Sequence, residues 1–186
     1  MVEVRPLGLE GVAELTARRF GDPRGWFTET WNVAAFAEAG LDHVWIQDNH
    51  AYSAQAGVVR GLHFQQHPFA QAKMVRVVRG SVFDVAVDIR AGSPDFGKWV
   101  GLTLTAEQGN QILVPRGFAH GYMTLEPDTE VVYKVDGRYS PAHERAIAWN
   151  DPAIGIDWPA VGEVMLADKD RAAPLLADAD IGETPQ

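Results

Sequence analysis

Two histidines four residues apart raise the first question of chemistry: VVRGLHFQQH, Val58 to His67, carries His63 and His67. That spacing would put two imidazoles on one face of a helix, as in a helical zinc pair. The context argues otherwise. Gly61 and Pro68 flank the segment, no glutamate follows the first histidine, and Val58, Val59, Leu62 and Phe64 read as strand. No His-x-His pair offers two ligands on one strand face, and the chain has no cysteine, so no metal is expected.

His63 then has two readings. One is a hydrogen-bonded core imidazole. The other is a general base, and its company supports that: Arg60, Lys73, His120 and Tyr133 all lie in or beside apolar strand patterns. In TEVVYKV, alternation puts Thr129, Val131, Tyr133 and Val135 on one face, which would turn the phenol into a barrel interior. A cation, an imidazole and a phenol enclosed together need partners or a ligand. Such a set suits proton abstraction beside a carbonyl. An imidazole takes the proton near neutral pH, a lysine or second histidine holds the enolate oxygen, and a phenol returns a proton from the opposite face.

Positioning such groups takes strands, and strand signals dominate. KMVRVVRGSVFDVAVDIR, Lys73 to Arg90, reads as two alternating strands hinged at Arg79-Gly80-Ser81. In the second, Phe83, Val85, Val87 and Ile89 face one way and Asp84 and Asp88 the other, so one face is core and the other solvent or a cavity. WVGLTLTAE and NQILVP supply two more strands around a turn at Gln108-Gly109-Asn110, and GYMTLE and TEVVYKVD look like a further pair joined through Pro127-Asp128. Short strands at this spacing predict a sandwich or barrel. The clear early helix is NVAAFAEAG, with Asn32 as N-cap and Gly40 as its stop. After Trp158 the chain turns rich in Ala and Asp, forming a short helix or an arm over the body, and the final GETPQ is expected to fray.

A chain of 186 residues, 46% hydrophobic and 22% charged, is most simply one globular domain. No apolar run is long enough to cross a bilayer, and MVEVRPLGLEG does not read as an export signal. With the lack of cysteine, this leads us to expect a cytoplasmic protein that binds no membrane. A net charge of −9 argues against a nucleic-acid partner. A small anionic ligand would need some of the 16 Lys and Arg residues gathered locally.

Taken together, RGLHFQ, KMVRVVRGSVFDVAVDIRAGSPDFGKW, PRGFAHGY, YKVDGRYSPAHE and WNDPAIGIDWP resemble the dTDP-4-dehydrorhamnose 3,5-epimerase family. FGDPRGWFTETWN and QDNHAYS upstream and LADKD downstream extend the resemblance to about residues 3 to 175, in order. It implies an all-β, cupin-type jelly-roll barrel with a few short helices at the periphery, a homodimer, and a site with neither metal nor cofactor. The expected layout of residues 1–186 is an N-terminal arm to about residue 50, a barrel over about 51–150 and a C-terminal helical segment over about 158–186. The implied substrate is dTDP-4-dehydro-6-deoxy-D-glucose, inverted at C3 and C5 to dTDP-4-dehydro-L-rhamnose. Both carbons flank the C4 ketone, which acidifies their protons.

By the same resemblance, His63 is the base, Asp170 of LADKD the carboxylate that orients it, Lys73 the group near the C4 oxygen and Tyr133 the proton donor. Arg60, His120 and Lys169 resemble groups that hold the diphosphate and sugar. Arg24, Glu29, Gln47, Asp48, Asn49 and Glu144 resemble contacts at the nucleotide end, part of that early segment reaching the partner subunit's site. Tyr139 matches an aromatic that stacks on thymine. Arg24, Arg60, Lys73 and Lys169 would then be the local cations that a diphosphate demands.

Plainer readings stand beside these. Arg24 could be a solvated charge, Tyr139 a strand aromatic and Asp170 a helix cap. Asp84 could support His63 or Arg60, or serve only as a hydrogen-bonding group. His43, His50, His67 and His143 read as structural or surface residues, and Trp26, Trp45 and Trp99 as core or interface. Strand parity poses a sharper problem, since Arg60 and His63 point to opposite faces of an ideal strand. If both serve one ligand, a bulge or bend is predicted at Gly61. Arg138-Tyr139 stands where many members of the family have two aromatics. Single epimerisation at C3 or C5 of a related keto-deoxyhexose is therefore the nearest alternative, and a non-catalytic sugar-nucleotide-binding cupin a more distant one.

Overall fold

The β-branched and aromatic residues that alternate along the chain form thirteen strands in the computed structural model, which describes residues 2–182. The first half runs through β1 (Val2–Pro6), β2 (Ala13–Ala17), β3 (Arg19–Asp22), β4 (Gly25–Thr28), α1 (Val33–Glu38), β5 (Gln47–Ser53), β6 (Val59–Gln65) and β7 (Lys73–Arg79). There follow β8 (Ser81–Asp88), β9 (Trp99–Thr105), β10 (Asn110–Val114), β11 (Phe118–Thr124), β12 (Thr129–Val135), β13 (Glu144–Ala146) and α2 (Asp168–Arg171). From Glu183 on, the expected fraying of GETPQ lies outside the described residues.

Six strands in the order β1-β2-β10-β7-β12-β5 form one sheet and five in the order β13-β6-β11-β8-β9 the other. The named strands pair antiparallel throughout. Between the sheets lies a cluster drawn from both: Val75, Val77, Ile112 and Val131 from one, Val82, Ala86, Leu104, Phe118 and Tyr122 from the other. Enclosing side chains such as Ile112 and Leu104 contributes roughly 1.5–3 kcal/mol each. This all-β, two-sheet barrel is the predicted jelly roll.

The hinge at Gly80 is where expected, between β7 and β8. Its strands, however, belong to different sheets, as do β9 and β10. The expected pairing of GYMTLE with TEVVYKVD also fails: β11 pairs β6 and β8, while β12 pairs β5 and β7. Short turns here carry the chain across the barrel. Alternation along β8 is correct, but both faces are buried. Val82 and Ala86 face the barrel, while Val85, Val87 and Ile89 pack outside it with Leu62, Phe64, Ile147 and Ile154. Trp158, Leu176 and Ile181 from the C-terminal segment cover that outer cluster.

Residues 2–50 do not form one arm. β1 and β2 extend the six-stranded sheet, and β3 and β4 make a separate hairpin. The helix α1 has the predicted cap, Asn32 Oδ1 accepting from the Ala34 and Ala35 amides at 3.1 Å. Among the described residues no helix is long and apolar enough to cross a membrane.

Candidate active site

The register between β6 and β11 shows how the site is assembled. His120 lies opposite His63, yet Tyr122 lies opposite Arg60, so an extra residue on β6 is taken up between them. This is the bulge predicted at Gly61. Gly61 has φ of +146° and the Gly61–Leu62 peptide is cis. A Cβ on Gly61 would stand 2.5 Å from the Gly121 Cα, so only glycine fits against β11. The slip turns Leu62 into the outer apolar cluster and leaves both Arg60 and His63 lining one cavity.

That cavity, of about 460 Å³, is also lined by Lys73, His120, Tyr122, Tyr133, Glu144, Lys169 and Asp170. His63 Nε2 meets Asp170 Oδ1 at 2.5 Å, across 107 residues of sequence. Asp170 is buried in α2, but its side chain caps no helix amide. Burial alone would raise its carboxyl. The hydrogen bond and charge of His63, together with the Lys169 charge and the Gly61 backbone, outweigh that and hold it below the usual carboxylate range. Nδ1 of His63 has no hydrogen-bond partner among the described residues.

A second imidazole–carboxylate pair lies alongside. His120 Nε2 meets both oxygens of Asp84, at 2.9 and 3.0 Å, and Asp84 is fully buried. Burial pushes His120 below the ordinary histidine value, opposed by the Asp84 charge and hydrogen bond. Lys73 opens β7 beside them. Burial pushes its ammonium down to about 8, despite the pull of Asp84 and Glu144 in the other direction. Tyr133 sits on β12 opposite Val75 and Asn49. Burial raises its phenol, with Arg60 and Lys169 drawing it back.

Toward solvent the cavity carries more exposed charges. Exposed Arg60 donates through Nη2 to the Tyr52 carbonyl at 3.0 Å. Lys169 Nζ and Tyr139 Oη each donate to Glu144 at 3.0 Å. Burial would raise Glu144, but those two donors keep it below its ordinary value. An adjoining cleft of about 260 Å³ shares His63, Lys73, Tyr133 and Glu144 and adds Gln47, Asn49 and Tyr139.

The remaining residues of the predicted set lie elsewhere. Asp48, between Gln47 and Asn49 on β5, follows strand parity to the other side, where it pairs with Lys134 at 2.8 Å. Arg24 is ion-paired with Asp22 at 2.5 Å on the exposed β3–β4 hairpin, and Glu29 follows that hairpin; neither lines this cavity. Two residues play a larger part in the structure than the sequence indicates. Asp84 supports His120 rather than His63 or Arg60, and Tyr122, two residues beyond His120 and so on the same face of β11, joins it in the cavity wall. Among the described residues no three His, Asp or Glu side chains gather as a metal would require.

Comparison with known proteins adds an independent line. The profile of the dTDP-4-dehydrorhamnose 3,5-epimerase family matches residues 6–178. The dTDP-4-dehydrorhamnose 3,5-epimerase of Sinorhizobium fredii is 49% identical over 175 residues, covering 94% of this chain and 90% of that protein. The crystal structure of the 3,5-epimerase of Legionella pneumophila, in complex with dTDP-4-keto-L-rhamnose, superposes with a TM-score of 0.93 at 40% identity and full coverage of both chains. The Bacillus anthracis enzyme, with TDP and PPi bound, gives 0.91 at 46% identity, covering 94% of this chain and 99% of that one. The chain belongs to the dTDP-4-dehydrorhamnose 3,5-epimerase family.

Proposed function

We propose that this protein inverts C3 and C5 of dTDP-4-dehydro-6-deoxy-D-glucose to give dTDP-4-dehydro-L-rhamnose. The observation that carries the proposal is the 2.5 Å pair of His63 and Asp170 in one cavity with Lys73 and Tyr133. The cavity is asymmetric: Arg60 and Lys169 are exposed, whereas His120 is 7% exposed. The diphosphate belongs at the open, cationic end and the hexose at the enclosed end.

His63 takes the proton from the carbon beside the ketone, and the C–H electron pair moves to the C4 oxygen. Asp170 steadies the imidazolium that results. The Lys73 ammonium stabilises the enolate oxygen with its positive charge. Tyr133 then delivers a proton to the opposite face, and the inverted carbon forms as the ketone returns. His63 then gives its proton to solvent and the Tyr133 phenolate takes one back, so that a shift of the ring can present the second carbon to the same base, oxyanion site and donor. Each acid or base step of this kind is worth about 10²–10⁴-fold in rate.

The reading extends to assembly. The β3–β4 hairpin exposes Phe20, Trp26 and Phe27 by 49%, 59% and 65%, which suits burial against a second copy of this chain. In such a homodimer the hairpin would bring Arg24, and Glu29 beyond it, to the partner's nucleotide end. We place the protein in the cytoplasm as a single domain. The function is tested by turnover of the keto-sugar nucleotide: His63→Ala should form no product while binding dTDP, and near wild-type turnover would remove His63 as the base.

A further inference from the structure

Tyr122 has no part in the chemistry described above, yet its position calls for one. It follows His120 by two positions on β11, and its register neighbours are Arg60 on β6 and Asp84 on β8. Its ring belongs to the barrel cluster with Val75, Val82, Ala86 and Val131, and it also lines the catalytic cavity. The residue is 5% exposed, and its hydroxyl is enclosed without a hydrogen-bond partner among the described residues. A buried hydroxyl left unpaired is destabilising, and a phenylalanine of the same shape would suit the apolar cluster better.

We propose that the Tyr122 hydroxyl is a specificity-determining contact to the hexose, donating a hydrogen bond to a pyranose oxygen at the enclosed end of the cavity. The inference rests on the epimerase reading. Position selects the hexose over the nucleotide, because Tyr122 sits among core residues while the exposed cations lie at the other end. Burial raises the phenol above its ordinary value, so it stays a donor. A site that expects such a bond rejects sugars lacking the oxygen, because the phenol would again be left unpaired.

Tyr122→Phe removes one oxygen and keeps the ring. Steady-state kinetics with dTDP-4-dehydro-6-deoxyglucose should show kcat/KM about tenfold below wild type. Affinity for dTDP alone should be unchanged, and the melting temperature equal to or above wild type. An unchanged kcat/KM in a variant of an active wild type would overturn the contact alone. Parallel loss of dTDP affinity would move the partner to the nucleotide end and overturn the assignment to the hexose. A lower melting temperature would mean the hydroxyl already has a partner in the free protein, which also overturns it. A wild-type chain that leaves the keto-sugar unchanged would sink the epimerase reading and this contact with it.

Discussion

His63 and His120 lie opposite each other on neighbouring antiparallel strands, and each is backed by its own carboxylate, Asp170 at 2.5 Å and Asp84 at 2.9 Å. The two pairs differ in their surroundings. The His63 side chain is 22% exposed and that of His120 8%. The more open imidazole, with Nδ1 unbonded among the described residues, is placed to exchange a proton with a ligand. The enclosed one is held by burial below the ordinary histidine value, with Asp84 pulling the other way.

Asp170→Asn should test the first pair. The amide is nearly isosteric but cannot support an imidazolium, so kcat should fall by about 10²–10⁴-fold. Binding of dTDP, measured by calorimetry, should change little. A variant with wild-type kcat would show that Asp170 is only a packing residue of α2.

Lys73 predicts two pH dependences of opposite sign. Its folded-state value of about 8 lies below the ordinary 10.5. If the ammonium stabilises the enolate, kcat/KM falls as pH rises through about 8. Between about 8 and 10.5 the unfolded chain holds the extra proton, so this group makes folding more favourable as pH rises across that window. Rate profiles and denaturation series over the same pH range would separate the two. A kcat/KM that stays level through that range would mean the charge on Lys73 is not needed.

Tyr133→Phe should slow net inversion more than the initial loss of the substrate proton. Deuterium wash-in against product formation, followed in one reaction, gives the comparison. Equal losses in both would mean that the phenol does more than return the proton.

Gly61→Ala tests how the bulge places Arg60 and His63 together. The added Cβ meets the Gly121 backbone at 2.5 Å in a conformation that side chains rarely adopt. Stability should fall by about 2–4 kcal/mol in urea unfolding, with activity lost as well. A neutral substitution would show that β6 reaches the same register without glycine.

These relationships were legible in the sequence to different degrees. Alternation over Lys73–Arg90 located β7 and β8 and their hinge, because side-chain parity is local. It could not say that β11 and β12 part company, since alternation identifies faces and not neighbours. The bulge at Gly61 was readable from a conflict: two residues of odd separation needed on one face, with a glycine between them. The His63–Asp170 pair was not readable from pattern at all, because nothing local links groups 107 positions apart, and it came from the family resemblance. Gln47, Asp48 and Asn49 show the reverse case: the resemblance grouped them, and parity on β5 separates Asp48 from the other two. Tyr122 is not legible from GYMTLE, because alternation alone cannot tell a core face from a cavity wall, and in the structure the residue is both.

The account is tested most directly by NMR of dTDP-4-dehydro-6-deoxyglucose incubated with the protein in D₂O. It predicts deuterium at both C3 and C5 and an L-configured product, with no label at either carbon in the presence of His63→Ala. Label confined to one carbon would contradict the double inversion, and no exchange with the wild-type chain would contradict the enzyme itself.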